Sequence, residues 1–155
     1  MDAIRIELSR TPYEEPYHLR LRITASNGRL RGELEYYCNA NDLRELGAQM
    51  QAYTGNRERE IVYQLGSEKP EDRFAYFFSL RVQAINSRGH CCVTVRLNSN
   101  ASPPDTEITE LSIPAEVADV NRLGGLLTQF GQLRHRRLIW RVASGELLED
   151  GEPTE

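Results

Sequence analysis

Glu33 and Glu35 stand two residues apart, which on a strand places both carboxylates on one face, the arrangement that general acid–base work needs. Each also has an arginine to answer it. A two-residue type I′ loop at Asn27-Gly28 sets Arg22 opposite Glu33 and Arg20 opposite Glu35, with Ile23, Leu21 and Leu19 opposite Gly32, Leu34 and Tyr36. An exposed ladder of ion pairs explains the glutamates better than an active site does. His90-Cys91-Cys92 raises the question of a metal, but neighbouring strand residues point to opposite faces, so only His90 and Cys92 share a side. His18 and Cys38 are the other donors, in a different hairpin, and the short-spaced cysteine pair of a structural zinc site is missing. Cys91 reads as a small core residue. The chain has no G-x-S-x-G, no Ser-x-x-Lys and no P-loop, and Gly124-Gly125 lacks phosphate-loop spacing. The expectation is therefore no enzyme, no metal and no cofactor. A rival enzymatic reading rests on Cys38 or Cys92 acting with a histidine.

The strongest charge cluster is Arg134-His135-Arg136-Arg137, joined by Arg141 after Trp140. Its functional reading is contact with nucleic acid or an acidic partner, with Trp140 as a stacking platform. Its plainer reading is a helix C-terminal turn running into an edge strand guarded by charge. Alternation sends Arg137 and Arg141 outward and Trp140 inward with Leu138 and Val142. Phe77 falls on the outward side of its own strand and, with Tyr37, forms an exposed aromatic patch. Arg134, Arg136, Arg137, Arg141 and Phe77 are thus the candidate partner-binding residues.

Net charge is −4, yet five acids and no base lie in residues 143–155, leaving the preceding 142 residues at +1. So balanced a body makes nucleic acid a disfavoured partner. Eighteen of the nineteen Lys and Arg residues are arginine, a skew that fits the codon bias of a GC-rich bacterial genome. Three cysteines, two of them adjacent, make a poor disulfide framework. With no leader and no long apolar run, the expected setting is cytoplasmic and away from membranes. Oligomeric state is not legible.

These residues are carried by strands in runs. Ile4, Ile6 and Leu8 alternate with polar neighbours, two prolines break the chain at 11–16, and the His18–Tyr37 hairpin follows. A helix begins at Asn41 or Asp42 as N-cap, runs along Leu43, Leu46, Met50 and Tyr53, and stops at Gly55. Strands are expected over 59–65, 73–84, 90–97 and 107–113, with Val82 meeting Val93 and Leu80 meeting Val95. Pro114 opens a second helix along Val117, Val120, Leu123, Leu127 and Phe130 to Gly131, and Leu138, Trp140 and Val142 form a last short strand. Glycines at 47, 124 and 125 each cost a helix about 1 kcal/mol, which implies close helix approach or a break at Gly124-Gly125. The order predicts an α+β domain over residues 1–142, a mainly antiparallel sheet with two helices packed on one face, and a disordered acidic tail over 143–155.

The hairpin leading into Asn41-Asp42-Leu43, the helix with Leu46 and Met50, the strand Gly89-x-Cys-x-Val-x-Val-x-Leu97 and the final helix with Val120-x-x-Leu123 resemble bacterial polymorphic-toxin immunity proteins of the WapI-like type and related families. The resemblance covers residues 4–133 and implies a non-enzymatic α+β protein that binds and neutralises a cognate toxin domain. The partner expected on that basis is a protein. The alternative is a nucleic-acid-binding module built on Arg134–Arg141.

Overall fold

The computed structural model describes residues 3–149. Two antiparallel sheets and two helices enclose one hydrophobic core. The chain runs through β1 (Arg5–Glu14), β2 (His18–Ser26), β3 (Arg31–Cys38), α1 (Ala40–Gln51), β4 (Ile61–Gly66), β5 (Phe77–Ala84), β6 (His90–Asn98), β7 (Ile108–Glu116), α2 (Val117–Phe130), β8 (Arg137–Trp140) and β9 (Gly145–Leu148). Sheet A has the order β3-β2-β1-β8-β9 and sheet B the order β4-β5-β6-β7. The α+β class is as expected, but two sheets, not one, share the helix pair. The reason lies in the chain order: each sheet's meander ends in a strand that leads directly into a helix, so each helix brings its own sheet to the common core. No helix of the described residues is long and apolar enough to cross a membrane.

The opening hairpin keeps its expected faces and shifts its register by two. Ile23 pairs with Leu34, Leu21 with Tyr36, Leu19 with Cys38, and Arg22 with Glu35. Gly28, at φ +93°, takes the first central place of the turn, and Asn27 becomes a paired flank whose backbone N–H donates to the Leu30 carbonyl at 3.1 Å. The Asn27 side-chain oxygen accepts from the N–H groups of Arg29 and Leu30 at 3.0 and 2.9 Å. That Asx turn moves the loop to Gly28-Arg29 and leaves every side chain on its expected side. The β5–β6 hairpin has the expected register, Val82 with Val93 and Leu80 with Val95.

Several boundaries differ. β1 continues through Pro12 to Glu14 where the prolines were expected to break it, β5 begins at Phe77 and not at 73, and β8 ends at Trp140, so that Val142, at φ +69°, lies beyond it. Asn39, not Asn41 or Asp42, caps α1, accepting from the Asp42 N–H at 2.8 Å. Asn41 is instead turned to Glu45, 2.8 Å away. Pro114 lies inside β7, opposite Cys92, where an edge strand tolerates its missing N–H, and α2 starts at Val117 behind a Glu116/Asp119 capping box. Finally β9 occupies part of the segment expected to be a disordered tail, pairing Leu147 with Leu138; residues 150–155 of that tail lie outside the described residues.

The two halves repeat each other. The core-facing row Leu138–Leu8–Ile23–Leu34 of sheet A has its counterpart in Tyr63–Leu80–Val95–Leu111 of sheet B. The helices that follow share the pattern Asp42-x-x-x-Leu46-Gly47 and Asp119-x-x-x-Leu123-Gly124. In this correspondence β8, from the end of the chain, plays for sheet A the part that β4 plays for sheet B. Gly47 and Gly124 fall at matching helix positions and are where α1 and α2 touch: a Cβ on Gly124 would lie 2.7 Å from the Gly47 carbonyl oxygen. The sheets meet at Gly32, where a Cβ would lie 2.5 Å from the Thr109 hydroxyl oxygen.

Candidate nucleic-acid interface

One end of sheet A gathers exposed aromatic rings and guanidinium groups. Between the pairs Thr11–Arg20 and Glu14–His18, two residues of β1 (Pro12 and Tyr13) face Leu19 alone. This bulge breaks the alternation and re-aims Tyr13. Its ring lies 5.6 Å from that of Tyr37, centroid to centroid, at 58°. Both rings are open to solvent, Tyr13 at 56% and Tyr37 at 40%, and Tyr17 in the adjoining turn is 77% exposed. Tyr37 is steadied from behind by its backbone N–H, which donates to the Tyr76 hydroxyl at 3.1 Å. Arg20 sits directly across the ladder from Tyr37. Glu35 hydrogen-bonds Arg20 and raises its pKa further, so the guanidinium is a permanent cation beside the rings.

On the helix side of the same end, Arg10, Pro12, Glu15, Leu133, Arg134, Arg136 and Glu149 line a groove of about 460 Å³. Its floor is the Arg10 side chain, 4% exposed and paired with Glu15. Arg10 donates to the carbonyl oxygens of Leu133 (3.1 Å) and His135 (2.9 Å), which fixes the 133–136 turn. Arg134 and Arg136 then project from that turn with no ion pair among the described residues. Pro12 lines the groove while Tyr13 joins the rings, so the bulge links the two surfaces.

The sequence-derived site residues divide. Arg134 and Arg136 fall together in the groove. Arg137 is turned away to Glu7 at 2.8 Å, and Arg141 is paired with Glu146. Trp140 is fully buried, its indole N–H donating to the Asp119 carbonyl at 3.0 Å, so it is no stacking platform. Phe77 is corrected as well. It points outward from sheet B as alternation requires, yet is only 8% exposed, because it lies between Gly66 and Asn98 and beside Glu68. Tyr37, expected to share a patch with it, is on the other sheet. Tyr13, Tyr17 and Arg20 were not singled out from sequence. The available signal was two tyrosines interleaved with the prolines of Thr11-Pro12-Tyr13-Glu14-Glu15-Pro16-Tyr17.

Two of the three thiols are poorly placed for chemistry. Burial pushes the Cys38 thiol up to about 12 and the Cys91 thiol up to about 11, so both stay protonated at neutral pH. No group of three His, Cys, Asp or Glu residues that could hold a metal occurs among the described residues. On sheet B, Glu68 binds Arg96 at 2.8 Å and Asn98 at 2.6 Å. Hydrogen bonding from Arg96 is the main cause holding the Glu68 carboxyl below its ordinary range, against some desolvation. Its contribution is complete above the unfolded carboxyl value and is lost as pH falls through the lowered folded value. Denaturant titrations between about pH 5 and pH 3 should show a shallower loss of stability in Glu68→Gln than in the wild type.

No protein-family profile and no curated protein matches this chain. Among solved structures it is similar to WHY3 from Arabidopsis thaliana, with 10% identity and a TM-score of 0.46 over 84% of this chain and 83% of that one. It is also similar to the plant transcriptional regulator PBF-2, with 8% identity and a TM-score of 0.47 over 84% of this chain and 76% of that one. The expected immunity function, with a toxin domain as partner and nucleic acid disfavoured, is corrected against these neighbours, which are plant proteins, one of them a transcriptional regulator; the likeness itself is one of fold. The chemistry rests on the residues at the end of sheet A.

Proposed function

We propose that this protein is a non-catalytic domain that binds single-stranded nucleic acid at the bulged end of sheet A. The carrying observation is the open Tyr13–Tyr37 pair with Arg20 across the ladder from Tyr37. Aromatic faces stack on bases of any identity, but only unpaired bases can reach them, which selects single strands over duplex. Arg20 supplies a planar cation beside the stacked base, and Arg134 and Arg136 supply phosphate contacts over the edge of the sheet. The expected partner correction follows from local chemistry: a body near zero net charge still binds a strand when rings carry the energy.

That division predicts a weak salt response. With two phosphate contacts, from Arg134 and Arg136, the slope of log affinity against log salt for a single strand is about −1.4. Fluorescence anisotropy with a labelled mixed-sequence single-stranded oligonucleotide, and with its duplex, reads this directly. Tyr13→Ala and Tyr37→Ala should each weaken single-strand binding about tenfold, since stacking contributes ~1–3 kcal/mol per base. Arg134→Glu with Arg136→Glu should weaken binding and flatten the salt slope. No binding at low salt, or tyrosine variants that bind like the wild type, would refute the reading.

A further inference from the structure

The internal repeat exposes one unmatched position. In sheet A the outer edge of β8 is covered by β9, with Leu138 paired to Leu147 and the Arg136 N–H donating to the Leu148 carbonyl at 2.8 Å. In sheet B the equivalent strand, β4, is the edge, and its outer backbone groups make no hydrogen bond to another segment among the described residues. An open edge is ordinarily guarded by charge, proline or shortness. β4 has none of these: Ile61-Val62-Tyr63-Gln64-Leu65-Gly66 is six residues long and uncharged. The other edges are managed. β3 and β7 close on each other at Gly32 and Thr109, and β9 is four residues long with Glu146 in it and Glu149 beyond.

We infer that β4 is a self-association edge, at which a second copy of this chain adds its own β4 in antiparallel register. The strand's own pattern selects a second copy as the occupant. Antiparallel pairing about a twofold axis at Tyr63 sets Ile61 against Leu65 of the other copy on the core side. On the outer side it sets Val62, 43% exposed, against Gln64. Continued outward, Glu60 meets Gly66 and Arg59 meets Ser67, so no like charges oppose each other over residues 59–67; Glu58 and Arg57, which would next face Glu68 and Lys69, lie in the turn before the strand. The half-buried Tyr63 and Leu65 side chains at the rim would gain cover from the partner's strand. The result is one continuous eight-stranded sheet made from the two B sheets. A single strand pair is a narrow interface, so the equilibrium should be weak and concentration-dependent.

Sedimentation velocity of the full chain over a concentration series from about 1 to 500 μM tests this. The expected result is a monomer–dimer equilibrium that Val62→Lys with Gln64→Lys shifts at least tenfold toward monomer. Both side chains face solvent in the monomer, and circular dichroism checks that the variant keeps its fold. Hydrogen exchange supplies a second readout, with amides of residues 61–66 gaining protection as concentration rises in the wild type alone. A monomer at every concentration overturns the proposal. So does a dimer that the double variant leaves intact, or one in which the 61–66 amides exchange as in the monomer.

Discussion

Gly124→Ala lowers the unfolding free energy by about 2 kcal/mol, while Gly125→Ala, one residue on, raises it by about 0.5–1 kcal/mol. Equilibrium denaturation of the two variants decides it. At Gly124 a methyl group would lie 2.6 Å from the Gln51 backbone nitrogen and 2.7 Å from the Gly47 carbonyl oxygen. Both obstacles are backbone of α1, which can yield only if the helices separate. Overpacking of that kind costs ~1–3 kcal/mol or more, and the gain in helix propensity, about 1 kcal/mol, offsets only part. At Gly125 the nearest atom is the Gln51 side-chain nitrogen at 3.7 Å, an ordinary contact at the end of a flexible chain. There only the propensity gain remains. Gly47→Ala should behave like Gly124→Ala, because its methyl would lie 2.8 Å from the Gly124 carbonyl oxygen. Equal effects at 124 and 125 would mean that the helices do not cross where the glycines place them.

Arg10→Met is expected to destabilise the protein by about 3 kcal/mol and to weaken nucleic-acid binding as well. The methionine keeps most of the buried stem, so the loss is electrostatic. Glu15 is left without its cation, and the carbonyls of Leu133 and His135 lose the donors that hold the 133–136 turn. Breaking one partner of a buried pair typically costs ~3–5 kcal/mol, and the partial exposure of Glu15 places this case at the lower end. The double variant Arg10→Met, Glu15→Gln should recover part of the stability by removing the stranded charge, yet not the binding, because the turn is still released. Denaturation and anisotropy on the same pair of variants separate the two effects. A double variant with full affinity would show that Arg10 does not position Arg134 and Arg136.

The faces of most elements were legible from the letters, but the register of the opening hairpin and the existence of β9 were not. Alternation placed Leu19, Leu21 and Ile23 inward because a strand has period two whatever its partner. The hairpin register depended on which two residues made the turn, and the Asn27 side chain settled that through hydrogen bonds no spacing rule contains. The suspicion of close helix approach at Gly47 and Gly124 came from the energetic cost of interior glycine, and the helix crossing accounts for it. The repeat is not legible in the letters because matching core positions share apolar character and not identity: Tyr36 answers Ile113, and Met50 answers Leu127.

The site was half legible. The arginines at 134 and 136 stand out as a charge cluster, but their neighbours Arg137 and Arg141 are neutralised by Glu7 and Glu146, and Glu7 lies on a strand near the other end of the chain. Exposure of Phe77 and Tyr37 looked alike on paper, since both alternate outward. Glu68 and Asn98 sit beside one, while the β1 bulge brings Tyr13 to the other. What the sequence determined alone was local: strand and helix periodicity, the inward faces, the α+β class and the absence of any familiar catalytic spacing. What the tertiary structure decided was every property that depends on two distant segments meeting, including the sharing of one core by two sheets, the pairing or freedom of each arginine, and the open tyrosines. The physical reason is that backbone propensity and periodicity act within a few residues, whereas burial and charge neutralisation are set by whichever segment the fold brings alongside.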